Sequence, residues 1–288
     1  FAGKEGKYVP SRNIWDRLQQ ELKHNVALRV EVTEDAEKYR VSGRGELHLS
    51  VLIETMRREG YELAVGRPEV IVKEDENGAK TEPYEQLTVD IEADHQGSVM
   101  EKLGERRADL KNMEPDGKGR VRLDYIIPAR GLIGFRTEFL TLTSGTGLLY
   151  SVFDHYGPGI AMSIGQRSNG VLIANGQGKA AGYALFSLQE RGRLMVSHGQ
   201  EVYEGMIIGI HSRDNDLTVN PLKGKQLTNV RASGTDENIV LTTPVNVTLE
   251  YALEFIDDDE LVEVTPESIR IRKKYLLEHE RKRASRQH

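Results

Sequence analysis

The sequence predicts an α+β chain: two βα sandwiches, the first short of its opening strand, followed by a β-rich C-terminal domain with short helices. Three observations carry this reading. Helical and alternating apolar spacings follow one another in an order that recurs within the first half of the chain. Beyond Pro158 the texture changes to short apolar runs separated by Gly- and Asn-containing turns. The 288 residues exceed the roughly 150 of a typical single domain. A Gly-, Asn- and charge-rich stretch from Lys73 to Glu82 reads as a linker, so the divisions expected are 1–79, 80–158 and 159–288.

In the first segment Ser11 is placed to cap a helix whose Ile14, Leu18 and Leu22 recur every fourth residue, with Trp15 widening the stripe. Alternation then marks strands at Leu28 to Val32 and Tyr39 to Val41. Gly43 and Gly45 bracket a turn, and Leu47, Val51, Leu52 and Met56 take up helical spacing until Gly60 ends it. A strand from Tyr61 to Val65 follows.

The second segment repeats this plan in full. Leu87 to Ala93 alternates as a strand, and Gly97 to Lys111 reads as a helix with Val99, Met100, Leu103 and Leu110 on one face. Met113 to Gly117 turns, Arg120 to Ile127 alternates again, a helical stretch runs near Gly131 to Leu142, and Leu148 to Tyr156 closes as a strand. These three strands and two helices are read as members of the order β-α-β-β-α-β, that of a split βαβ, or ferredoxin-like, sandwich. In the third segment Val171 to Ala174, Tyr183 to Leu188, Met206 to His211 and Ile239 to Leu241 read as short strands. A helix with Leu249, Leu253 and Ile256 in phase precedes Asp257 to Glu260, which are expected to begin a solvated turn. A strand at Ile269 to Arg272 leads into a basic terminal helix.

Composition narrows the function. Hydrophobic residues make up 38% of the chain, charged residues 29%, and mean hydropathy is −0.50, the profile of a globular protein rather than a disordered one. No run approaches the roughly 18 apolar residues of a membrane span, and Phe1 to Pro10 is too polar for a signal peptide. A cytoplasmic location is therefore expected. An opening residue other than methionine suggests a piece of a longer protein. Without cysteine there is no thiolate metal site or cysteine nucleophile. The net charge of −6 hides an asymmetry: from Arg270 to His288 eight basic residues face two acidic ones, leaving −12 on the remainder. Phosphates respond to such local patches within a Debye length of about 8–10 Å, so net charge does not decide the partner.

The motifs of common enzymes are missing. No Gly-x-x-x-x-Gly-Lys-Ser/Thr, Gly-x-Ser-x-Gly or His-Glu-x-x-His occurs, so the chain carries no P-loop, no hydrolase serine elbow and no helical zinc pair. Gly176-Gln177-Gly178-Lys179-Ala180-Ala181 matches a dinucleotide fingerprint, but that motif requires a helix next, and Tyr183 to Leu188 reads as a strand. Asp214-Asn215-Asp216 opens like a calcium loop, yet Val219 stands where glycine is needed. Asp94-His95 and Asp154-His155, as strand neighbours, are expected to point to opposite faces and not to bond. His48, beside the Gly43 to Glu46 turn, reads as a packed or capping histidine.

Basic features remain. Lys223, Lys225 and Arg231 lie in a Gly-, Asn- and Thr-containing stretch without an acid until Asp236, where flexible cations can reach phosphates; a plain solvated loop is the competing reading. Arg270, Arg272, Lys273 and Lys274 open the C-terminal cluster. Arg106, Arg107 and Lys111 are expected on an exposed helix face, partly neutralised by Glu105 and Asp109.

Arg40-Val41-Ser42-Gly43-Arg44-Gly45-Glu46-Leu47-His48-Leu49, Met56 to Glu59 and Val65 to Pro68 resemble the third domain of elongation factor G-like translational GTPases. Glu82-Pro83-Tyr84, Gly97 to Met100, Asn112 to Pro115, Gly131 to Phe135, Thr143 to Gly145 and Phe153 to Tyr156 are similar to the fifth domain. Arg231 to Glu237 and Leu253 to Leu261 resemble the C-terminal domain of the BipA/TypA family. The resemblance covers nearly the whole chain.

It implies a portion of such a GTPase beginning after the first strand of the third domain, which would leave that domain incomplete or recruiting a substitute strand. The implied role is GTP-dependent ribosome binding that assists translation or ribosome assembly under stress. This chain would supply the contacts, to large-subunit rRNA, ribosomal proteins and A-site tRNA, with GTP and Mg²⁺ handled elsewhere and no cofactor, metal, catalytic residue, membrane or small-molecule substrate of its own. Two alternatives stay open: a protein interaction module, and a metal-dependent hydrolase using Asp257 to Glu260.

Overall fold

Ile14, Leu18 and Leu22 do form one face of a helix, α1 (Ser11–Leu22), although Pro10 takes the N-cap position and no side chain caps it. The computed structural model describes residues 1–161, 164, 167–224 and 239–287. Contacts divide the chain into two units, one built from Phe1–Arg67 together with Arg167–His288, the other from Pro68–Gln166.

In the first stretch of the discontinuous unit, β1 (Arg29–Val32) and β2 (Tyr39–Ser42) pair as an antiparallel hairpin, and α2 (Glu46–Arg58) follows. Leu18, Leu28, Leu52 and Met56 form a small core between the two helices and the hairpin. His48 closes the turn before α2: its Nδ1 accepts the Arg44 amide at 3.1 Å and its Nε2 lies 3.1 Å from Asn25 Oδ1. The hairpin stays two-stranded, and β3 (Leu63–Val65) pairs elsewhere.

The continuous unit starts with β4 (Lys73–Glu74) and β5 (Lys80–Glu92), so the stretch expected as a linker is a hairpin that lengthens β5. Then come α3 (Gln96–Glu105), β6 (Asp109–Pro115), β7 (Arg120–Pro128), α4 (Ala129–Leu132), α5 (Phe135–Leu142) and β8 (Leu148–Pro158). The principal strands lie in the order β8-β5-β7-β6, all neighbours antiparallel. Leu87, Val89 and Ile91 alternate onto the inner face, where they meet Val99 and Leu103 of α3 and Phe135 and Phe139 of α5. Two local expectations change. The helix thought to reach Lys111 stops at Glu105: Arg107 adopts a left-handed φ of 63°, and Asp109 to Pro115 is a fully exposed edge strand. Register shifts between Tyr84 and Glu85, leaving Asp154 as an extra residue in β8. That bulge lets Asp154 Oδ2 meet His155 Nδ1 at 2.5 Å, a bond regular alternation forbids, while His155 stacks on Tyr84 with centroids 5.1 Å apart.

The chain returns to the discontinuous unit with β9 (Val171–Ala174), β10 (Gly178–Lys179) and α6 (Gly182–Leu188). β11 (Gly192–Leu194), β12 (Glu201–Val202), β13 (Ile207–His211) and β14 (Leu217–Val219) follow. β9 is the centre: it lies between β13 and β14 in the order β11-β13-β9-β14, and all four of its side chains are buried. Leu172 and Ala174 enter a core with α6, while Val171 and Ile173 enter a second core on the opposite face. The second core is completed by α7 (Leu249–Phe255), β15 (Glu260–Val264) and β16 (Ile269–Lys273). β15 pairs with β16 on one side and with β3 on the other, so β3 finds its strand partner about 200 residues away. The terminal helix is α8 (Glu278–Ala284).

Tyr183 to Leu188, expected as a strand, is helical, and the ground for rejecting the dinucleotide fingerprint changes with it. The amides leading into α6 are already bonded, Ala180 to Gln200 O at 2.9 Å and Ala181 to Pro221 O at 2.8 Å, and Gly178 pairs in a strand with Val202. Those amides are thus spent within the fold rather than offered to a phosphate. The Ile239 to Leu241 stretch forms no strand.

Candidate nucleic-acid interface

The cations of the second stretch divide into those held inside by this chain's own acids and those left in solvent. β16 shows the first kind. One of its faces, Ile269 and Ile271, enters the core, and Lys273 on that face meets carboxylates. Its Nζ lies 2.6 Å from Asp216, 2.8 Å from Asp259 and 2.9 Å from Glu260, which is wholly buried. Glu260 in turn takes both arms of Arg167, at 2.7 and 3.0 Å, and accepts the Asp257 amide at 2.9 Å. Burial opposes the charge on Lys273, but Glu260, Asp216 and Asp259 more than restore it, holding the ammonium above the ordinary lysine range. Burial would likewise raise the Glu260 carboxyl, yet the Arg167 bond and charge, with Lys273, keep it below the ordinary range.

The opposite face of β16 is covered by the chain's first residues. Arg270 bonds Glu5 at 2.9 Å and Glu263 at 3.2 Å, with its guanidinium 5.4 Å from the Phe1 ring; Arg272 pairs with Glu263 at 3.2 Å. The first residues are fixed in turn by Glu62, whose buried carboxylate accepts the amides of Gly3, Glu5 and Gly6 at 2.8, 3.0 and 2.6 Å. Arg270, Arg272 and Lys273, expected among RNA-facing residues, are thus engaged internally, and the acids of 257–260 form an ion-pair network rather than a solvated turn. Asp257 pairs with Arg167 at 3.1 Å and Asp258 with Arg67 at 3.2 Å, so cations of this chain already meet the carboxylates offered to a metal. Among the described residues no group of three or more His, Asp or Glu side chains is arranged so that it could hold a metal ion.

α8 shows the second kind. Gly205, at φ 88°, lets the chain before α8 pass closely: a β-carbon there would stand 2.6 Å from Leu276 Cα. Arg281 fixes the helix by donating to the Tyr275 and Leu276 carbonyls at 3.0 and 2.6 Å. With Arg281 turned back, His279, Lys282 and Arg283 of α8 and Arg286 in the turn just past its end line one exposed surface, at i, i+3, i+4 and i+7. The Lys282–Glu278 pair, at 2.7 Å, is exposed and weakly held. Lys274, expected to bind RNA, is exposed, as is Lys223 at the edge of the β14 side. Lys225 and Arg231 lie outside the described residues. In the continuous unit, Arg106 is turned inward, donating to Gly131 O at 2.7 Å, Ile133 O at 2.9 Å and Glu138 at 2.9 Å. Arg107 and Lys111 are exposed on different elements, Lys111 paired with Asp109 at 2.5 Å, so the three share no helix face. In the sequence Lys282, Arg283 and Arg286 stand only as part of a basic tail; their three- and four-residue spacing is the signal that singles them out.

Residues 79–159, in the continuous unit, fit the model of the elongation factor G C-terminus. Residues 169–278 fit the TypA/BipA C-terminal domain. Relatives named large ribosomal subunit assembly factor BipA are 71% identical in Escherichia coli K12, 70% in Haemophilus influenzae and 63% in Buchnera aphidicola, each over 99% of this chain. The chain belongs to the TypA/BipA family, and it spans about half the length of the curated relatives it matches, 46–47%.

Proposed function

We propose that this chain is the ribosome-contacting portion of a TypA/BipA translational GTPase, serving assembly of the large ribosomal subunit, and that it meets RNA phosphates through the exposed face of α8 with Lys274 and Lys223. The observation that carries the reading is the division of cations: Arg167, Arg270, Arg272 and Lys273 are neutralised within the fold, while His279, Lys282, Arg283 and Arg286 share one solvated face. Lysine and arginine on such a face hold phosphates and fix register with little reading of bases. The name carried by the relatives, a large-subunit assembly factor, supports rRNA of that subunit as the target. The resemblance to the family extends the reading to ribosomal proteins and A-site tRNA, with Lys225 and Arg231 joining Lys223 on their loop, and to a cytoplasmic, ribosome-bound location. No helix among the described residues is long and apolar enough to cross a membrane. Nucleotide chemistry falls to another part of such a GTPase, because this sequence contains no P-loop motif.

The test is co-sedimentation of the chain with separated large and small subunits across a salt series. Replacing Lys282, Arg283 and Arg286 by alanine is expected to weaken large-subunit binding and flatten its log–log salt slope by about 2 to 3 units, at roughly 0.7 to 0.9 per phosphate contact. Unchanged affinity and slope in that variant would remove α8 from the interface. Binding that survives RNase but disappears with a protein component would favour an interaction module instead.

A further inference from the structure

Outside α8, the discontinuous unit carries a second surface that its core does not explain. α6 buries Ala184, Leu185 and Leu188, but it turns two aromatic rings outward three residues apart: Tyr183 and Phe186 are each 42% exposed. Residue stretch 239–242 is fixed to the C-terminal end of the same helix by the Gln189 side chain, which donates to Val240 O at 3.0 Å and accepts the Thr242 amide at 3.0 Å. Val240 is 69% exposed. Large apolar side chains left in solvent on one helix in this way point to a contact site.

Charge identifies the occupant. The Ala181–Pro221 hydrogen bond brings the chain carrying Lys223 to the start of α6, and Lys179 stands three residues before that helix. Both lysines are exposed and have no ion pair among the described residues. The His198 ring packs 3.3 Å from where a β-carbon on Gly182 would lie, and it too is exposed. Glu201, across from Lys179 in the β10–β12 pair, is the acid that faces this end. Exposed aromatic rings flanked by unpaired cations form the arrangement that holds unpaired nucleotides, with bases on the rings and phosphates on the ammonium groups.

We propose that Tyr183 and Phe186 are a stacking platform for single-stranded RNA, with Lys179 and Lys223 on its backbone. This deepens the ribosome reading, on which it rests, by naming unpaired nucleotides as a ligand distinct from the phosphate surface met by α8. The experiment titrates the whole chain into a fluorescein-labelled single-stranded oligoribonucleotide of 12 nucleotides, and into the same sequence as a duplex, following anisotropy over a salt series. Tighter binding of the single strand is expected. The double variant Y183A/F186A should lose at least about tenfold in affinity for it with the salt slope kept. F186Y should retain affinity, and K179Q/K223Q should flatten the slope by about 1.4 units. Equal affinity for strand and duplex, or a double variant that binds as the parent does, overturns the platform. If the double variant also sediments normally with large subunits, the platform falls while the ribosome reading stands; if the parent chain does not sediment at all, the ribosome reading falls and the oligonucleotide titration still decides the platform. Capture of a protein through Tyr183 and Phe186 without single-strand binding overturns it as well.

Discussion

Replacing Glu260 by glutamine changes one atom in the middle of the buried ion-pair network. The carboxylate it removes is wholly buried and bonds both arms of Arg167 and the ammonium of Lys273, at 2.7, 3.0 and 2.9 Å. Arg167 keeps Asp257, and Lys273 keeps Asp216 and Asp259, but the amide nitrogen of glutamine presents a donor to groups that are themselves donors. Breaking a buried pair costs about 3–5 kcal/mol, and the partners that remain place this case near the lower figure, about 3 kcal/mol. With a urea slope of roughly 1–3 kcal/mol per molar, the unfolding midpoint should fall by about 1–3 M. The chain's single tryptophan, Trp15, lies in α1 of the discontinuous unit, against Tyr39 at 5.1 Å, so its fluorescence follows that unit in urea. Because the folded carboxyl is held below its unfolded value, its contribution is present above the ordinary carboxylate range and is lost as pH falls through the folded pKa. Parent and variant curves should therefore converge in acid, below about pH 4. A midpoint shift under about 0.3 M at pH 7, or curves that stay parallel into acid, would refute the reasoning.

Asp257 predicts the opposite sign. Burial, then the neighbouring Glu260 charge, outweigh Arg167 and hold its carboxyl above the ordinary range, so ionising it weakens the fold as pH rises through that window; Asp257→Asn should leave stability at pH 7 unchanged or higher in the same urea assay. Gly6→Ala should destabilise the unit by about 1–3 kcal/mol and expose the first residues to protease, because a β-carbon there would stand 2.4 Å from Glu62 Cγ. Arg106→Ala should lower the thermal transition of the continuous unit by removing its bonds to Gly131, Ile133 and Glu138, a loss of about 2–3 kcal/mol, while leaving ribosome sedimentation unchanged.

Much of the fold was legible in local pattern. The alternation of Leu87, Val89 and Ile91, the helical spacing of Leu18 and Leu22, and the three strands and two helices read between Leu87 and Tyr156 correspond to elements of the structure, because each side chain's face is set by neighbours within one turn or two residues; β6 lies where a helix end and a turn were expected. Tyr183 to Leu188 misled because a short apolar run buries equally well as strand or helix, and Leu185 and Leu188 found their core against a sheet whose other three strands come later in the chain than β9. Asp154 and His155 required a bulge that is visible only from the partner strand. The candidate interface was less legible still. Composition showed a basic C-terminus, but Arg270 meets Glu5, 265 residues away, and Lys273 meets Asp216. Such long-range pairing leaves no mark in a charge count. The α8 face obeys a local rule, and its spacing was readable.

The sharing of one sheet by β3 and β15 has a consequence for synthesis. Val65 pairs with Val262, so translation must add about 200 residues before that edge can close. At roughly 5–20 residues per second this is a delay of about 10–40 s, during which β3 presents open backbone groups. The intervening Pro68–Gln166 unit, with its own core and its own sheet, has every partner it requires as soon as it leaves the ribosome. The order of maturation is thereby inverted: the middle of the chain finishes first, and its beginning waits for its end.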